Sequence, residues 1–143
     1  MITLINQLKD DIKTHFSALP EYSKILVKEK YERYPKMTYP AVILEEIENS
    51  DATRYFDETE RVSNLSYQFT IQSQQSSDKT AIQNVRQIAE YLDNYLKGDR
   101  YRCLKRLGSL TIAPLPNDDN VIVGYLRYDC CVEIDTNTIY RRY

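Results

Sequence analysis

Apolar and polar residues alternate from Val121 to Ile134. Ile122, Gly124, Leu126, Tyr128, Cys130, Val132 and Ile134 share one parity, and Val121, Val123, Tyr125, Arg127, Asp129, Cys131 and Glu133 share the other. A period of two predicts a β-strand, because successive side chains leave on opposite faces. The first set is expected in the core; the second starts apolar and turns polar after Tyr125, so one end is expected covered and the other wet. Asp135, Thr136 and Asn137 supply turn chemistry, and Thr138 to Arg142 reads as a short return strand. The same alternation runs from Val62 to Gln72, with Leu65, Tyr67, Phe69 and Ile71 inward and Ser66, Gln68, Thr70 and Gln72 outward. A polar outer face predicts an antiparallel sheet with one solvated or partner-covered side. Arg100 to Thr111 is also expected to be extended, with Leu104, Arg106, Gly108 and Leu110 opposite in parity to Cys103, Lys105, Leu107 and Ser109.

Two shorter strands precede these. Lys24 to Tyr31 carries the β-formers Ile25, Val27 and Tyr31. Ala41 to Glu48 opens on a dense apolar run, Ala41 to Leu44, expected to be buried on both faces. Tyr34-Pro35 and Tyr39-Pro40 bracket the connection between them, since proline lacks the N–H and keeps its predecessor extended. Helical spacing appears twice. Thr3 is the expected N-cap of a first helix with the stripe Ile5, Leu8, Ile12, Phe16 and Leu19, stopped by Pro20. Asp78 is the expected N-cap of a second, with the stripe Ile82, Val85, Ile88, Ala89, Leu92 and Leu96 and Gly98 as the C′ residue. The order α-β-β-β-α-β-β-β predicts one α+β domain over residues 1–143, a mostly antiparallel sheet of about six strands with both helices on one face.

Two connections stand out. Asn49 to Glu60 is polar and acidic, too long for a tight hairpin, and a connection of that length is usually functional or mobile. At its centre Arg54, Tyr55, Phe56, Asp57 and Glu58 are candidate partner-contact or lumen residues; the alternative is that the two rings fold back on the core. Ala113 to Asn120, rich in proline and Asx residues, is expected to form a turn into the long strand.

Composition narrows the function classes. The formal net charge is −2 over 143 residues, which implies no global pull toward nucleic acid or anionic membrane. No apolar run is long enough to span a bilayer, and Lys9, Asp10 and Asp11 interrupt the only candidate signal segment. Cys103, Cys130 and Cys131 are odd in number and lack zinc spacing, so free thiols in a reducing compartment are expected. Thirteen tyrosines with no tryptophan suit strands and interfaces, where one end of the ring is dry and the other wet. No Gly-rich phosphate loop, His-x-x-x-His pair, Cys-x-x-Cys or nucleophile elbow appears. The lone histidine, His15, sits beside the first helix's stripe, where a partly packed residue is expected. Glu45-Glu46 and Asp118-Asp119 are adjacent carboxylates expected to be solvated. Arg100, Arg102, Lys105 and Arg106, with Tyr101 between them, form a candidate basic patch; a solvated face is the expected reading, since acidic residues outnumber basic ones, and phosphate contact is the alternative. The residues thus predict a non-enzymatic binding or assembly domain without cofactor or metal.

The order of motifs over the C-terminal part adds a resemblance. Ala113-Pro114-Leu115-Pro116-Asn117-Asp118 leads into a strand through Tyr125-Leu126-Arg127-Tyr128. Glu133-Ile134-Asp135 and a closing Ile139-Tyr140-Arg141-Arg142 follow. Upstream, the alternating strand Tyr67 to Gln72 precedes the helix Asp78 to Lys97. This order resembles the tail-terminator (tail-completion, or minor capsid) proteins of long-tailed bacteriophages; the first part of the chain matches only in pattern. Gly98-Asp99-Arg100-Tyr101-Arg102 departs from the Gly-Phe-Arg-like approach such proteins often carry after the second helix. The resemblance implies a homo-oligomeric ring, expected to be a hexamer, in the neck of a virion assembled in the host cytoplasm. The ring would cap the head-proximal end of the tail tube, stop tube polymerisation and meet the head-tail connector protein, with genomic DNA passing through unread. Acidic connections such as Asn49 to Glu60 suit a DNA lumen through like-charge repulsion. The alternatives are another connector component, such as a head-closure ring, and a small nucleic-acid-binding or enzymatic domain using the Arg100 to Arg106 cluster.

Overall fold

The computed structural model describes residues 5–33, 36–53, 61–74, 80–98, 101, 104–116, 118–133 and 139–140, with the side chains of 49–53, 61–63, 118–119, 130–133 and 139–140 outside the description. The elements are α1 (Ile5–Ser17), a 3₁₀ turn at Pro20–Tyr22, β1 (Leu26–Glu29), β2 (Ala41–Thr53), β3 (Arg61–Gln74), α2 (Ala81–Leu96), β4 (Lys105–Leu115), β5 (Asp118–Glu133) and β6 (Ile139–Tyr140). They build the expected α+β fold: two helices on a mostly antiparallel sheet ordered β1-β2-β3-β5-β4, with the two-residue β6 on β5. Among the described strands, only β1 and β2 run parallel, Leu26 opposite Ala41 and Glu29 opposite Leu44.

The parity of β3 is as the alternation predicts. Leu65, Tyr67, Phe69 and Ile71 are buried, and they align across the sheet with Leu44 and Val42 of β2 and with Tyr128, Leu126 and Gly124 of β5. Phe69 meets Tyr128 edge to face at 5.5 Å between centroids, a favoured geometry for the ring quadrupoles. α2 lies over β3 and β5, and α1 lies against β1 and β2. Leu8, Ile12 and Phe16 of α1 and Val85, Ile88 and Leu92 of α2 join one core with these strand residues. On the opposite face Ala41, Val121 and Val123 are buried, so the apolar start of β5 is covered there too.

Four expectations are corrected. Asn49 to Thr53 is strand: β2 continues to Thr53, which pairs with Arg61. The extended start of β3 offers a ladder to these polar residues, and pairing outweighs their weak β-preference. The N-cap of α2 is Thr80, whose Oγ1 accepts from the Gln83 N–H at 3.3 Å; Asp78 lies outside the described residues. Ile82 is 41% exposed while Ala81 is buried. The rest of the expected stripe, Val85, Ile88, Ala89, Leu92 and Leu96, is buried; only its first position moves, to Ala81, which lies four residues before Val85 and so on the same side of the helix. The Ala113 to Asn120 turn shrinks to the tip of a hairpin, with Leu115 opposite Asp118.

Gly124 shows why β5 carries a glycine mid-strand. A Cβ there would stand 2.5 Å from Val85 Cγ1 and 3.1 Å from Leu110 Cδ1. Leu110 reaches this point through a bulge: from Leu107 to Thr111 β4 advances four residues while β5 advances two, from Arg127 to Tyr125. Gly108 within the bulge has φ +70°, a conformation glycine takes without steric cost.

Candidate assembly surfaces

One polar cluster ties the end of α2 to the sheet. Asp93 falls four residues after Ala89, on the buried side of the helix, and is itself buried. Its Oδ1 accepts a hydrogen bond from the Tyr128 hydroxyl at 2.7 Å. Its Oδ2 lies 2.9 Å from Lys97 Nζ and 3.5 Å from Arg106 Nη1. Burial alone raises the Asp93 pKa, but the Tyr128 hydrogen bond and the Lys97 and Arg106 charges outweigh it and hold the carboxyl below its ordinary value. Burial, and then the same carboxylate, push the Tyr128 hydroxyl far above the usual tyrosine range. Asp93, Leu96, Lys97, Leu104, Lys105, Arg106 and Tyr128 line a cleft of about 320 Å³ at this edge of the sheet. A carboxylate kept ionised by one hydroxyl and two cations acts as a clamp between α2, β4 and β5.

Of the candidate basic patch, Lys105 and Arg106 begin β4 and are exposed, while Arg100 and Arg102 lie outside the described residues. Tyr101 is 1% exposed and its hydroxyl donates to Asp11 of α1. Although it lies between the patch's arginines in sequence, its ring is packed in the core. Arg106 points to Asp93, so part of the patch's charge is balanced within the chain. Arg54, Tyr55, Phe56, Asp57 and Glu58 lie outside the described residues. His15 stacks on Tyr95 at 4.4 Å, the packed helix position expected for it.

A second surface is the face of the sheet away from the helices. Lys30, Ile43, Glu45, Gln68, Thr70, Gln72 and Tyr125 line a shallow groove of about 250 Å³ there. Lys30 Nζ bonds Glu45 Oε1 at 3.0 Å, and that hydrogen bond is the main reason the Lys30 pKa is raised. Ser66 lies on this outward face, as its parity predicts, and is covered there: its hydroxyl donates to Asp129 Oδ1 at 2.7 Å and accepts from Arg127 Nε at 3.3 Å. Among the described residues, no group of three or more His, Cys, Asp or Glu is placed to hold a metal ion, and no helix is long and apolar enough to cross a membrane.

Sequence reading missed Asp93, Lys97 and Tyr128 as a unit. The available signal was a carboxylate on the apolar stripe of the second helix, since a charge there needs a partner. The class defined by the fold is a two-layer α+β domain with helices on one face of the sheet and a polar groove on the other. In comparisons with known proteins, no family model and no curated protein matches the chain.

Proposed function

We propose that this chain is a structural virion protein of a tailed bacteriophage, a subunit of the ring that ends the tail tube on its head-proximal side. The reading is carried by the order of motifs resembling tail-terminator proteins, which fall on consecutive elements. Tyr67 to Gln72 is in β3, the helix that follows is α2, Pro114 to Asp119 spans the β4–β5 hairpin, Tyr125 to Tyr128 is central in β5, and Ile139-Tyr140 is β6. The polar groove on the helix-free face, with Gln68, Thr70, Gln72 and Tyr125, supports it as well. Polar, half-buried side chains around an aromatic ring suit a contact that stays soluble before assembly. In this role the subunit joins copies of itself, the tail-tube protein and the head-tail connector. It lets DNA pass without reading sequence, and it needs no cofactor or catalytic residue.

The test is the solution mass of the purified protein, alone and mixed with its tail-tube protein, together with tube lengths by electron microscopy. Rings alone or on tubes, with tubes of uniform length, are the expected result. A monomer that neither binds tubes nor changes their length would sink the reading. Rings that bind a portal-side adaptor but not the tube would move the protein to another connector position.

A further inference from the structure

The sheet ends in two unlike edges. β1 covers β2 only from Ala41 to Leu44, so past Leu44 no described strand pairs with the outer side of β2. β4 closes the other side, with no described strand beyond it. The β2 edge carries Glu45, Glu46 and Glu48, and the β4 edge opens with Lys105 and Arg106. Register places these charges at one height. Glu48, Ser66, Asp129 and Lys105 form one row across the sheet, and Glu46, Tyr67, Tyr128 and Arg106 form the next. Within each row the end residues also share a face. Beside the charges, each edge exposes an aliphatic side chain, Ile47 at 40% and Leu107 at 44%.

We infer that the acidic end of β2 in one copy docks against the basic start of β4 in the next, joining copies head to tail. This rests on the ring reading for closure and names the surfaces that close it. A head-to-tail contact needs two different, complementary patches on one subunit, and the two edges supply them. Strand direction agrees. β4 runs antiparallel to β2, so copies related by rotation about an axis along the strands bring these edges together antiparallel. Lys105 then meets Glu48, Arg106, which also holds Asp93, comes level with Glu46, and Leu107 falls in the next row, level with Glu45 and just past the bulge that carries Ile47. Both edges also carry a bulge, between Glu46 and Glu48 on β2 and between Leu107 and Thr111 on β4. Bulges shorten any ladder an edge can offer, so the side chains carry the selectivity and indiscriminate strand addition is blocked.

Charge exchange tests the inference, with circular dichroism and melting temperature confirming that each variant folds. Lys105→Glu alone and Glu48→Lys alone should each weaken self-association tenfold or more, by placing like charges in contact. The double variant should associate again. An equimolar mixture of the two single variants should do so too, because alternating copies restore an opposite pair at every contact. Leu107→Asp, which leaves the charge pairs in place, should also weaken association. Rings that form normally in both single charge variants and in Leu107→Asp overturn the edge contact while leaving the ring reading standing. Loss of rings in the single variants without recovery in either the double variant or the mixture also overturns the pairing. A wild-type chain that stays monomeric at high concentration and on tail tubes overturns both.

Discussion

At the scale of single residues, packing and one buried charge dominate. Phe69 is fully buried against Tyr128, and Phe69→Ala is expected to cost about 3–5 kcal/mol in denaturant unfolding. Gly124→Ala is the opposite error. Its methyl would enter the space of Val85, and overpacking of this kind costs about 1–3 kcal/mol. Adding Val85→Ala to Gly124→Ala should recover part of that loss, and a non-additive double-mutant cycle would show it. Asp93 gives a pH signature. Its pKa is lowered on folding from an ordinary 3.8, so the folded state binds fewer protons just below that value. Its contribution is therefore present above pH 3.8 and is lost as pH falls from there through the folded pKa. Acid titration of stability should be shallower in Asp93→Asn than in the wild type, and Tyr128→Phe should reduce the same slope. An unchanged slope in both variants would show that the clamp is not formed in solution.

At the scale of elements, α2 is held at both ends by different means. Thr80 caps its start, and Asp93 with Lys97 and Arg106 fastens its last turn to β4. Thr80→Ala is expected to cost about 0.5–2 kcal/mol by leaving the Gln83 N–H without its cap, measurable by thermal unfolding. Asp78→Ala tests whether that residue contributes, and a larger loss there than at Thr80 would contradict the cap assignment. β4 shows how an irregular element serves regular packing. Its bulge turns Leu110 onto Gly124, and the same irregularity leaves Leu107 on the open edge.

At the scale of the whole molecule, the sheet is asymmetric in both directions. Across its thickness, helices cover one face and the polar groove marks the other. Along its width, acidic residues stand at one open edge and basic residues at the other. On the proposed ring reading, this second asymmetry makes assembly salt-sensitive, since partly exposed charge pairs are screened within about a Debye length, near 10 Å at 0.1 M. Sedimentation or light scattering at rising salt should show rings loosening while the circular dichroism of the fold stays constant. A ring mass independent of salt would mean that apolar contacts alone hold the copies.

The strands and helices were legible in the chain because their periods, two and 3.6, repeat over enough residues to outweigh single exceptions. The inward parity of Leu65 to Ile71 and the stripe from Ile5 to Phe16 needed no partner to be read. What tertiary structure decided lies where a residue's role depends on a neighbour distant in sequence. Asn49 to Thr53 became strand because β3 lay alongside. Tyr101, between basic residues in sequence, is core because Asp11 and the apolar cluster receive it. Asp93 became a clamp because Tyr128, on a strand 35 residues later, met it across the helix–sheet interface. The facing heights of Glu48 and Lys105 follow from three successive strand registers, a relation that alternation along one strand does not contain.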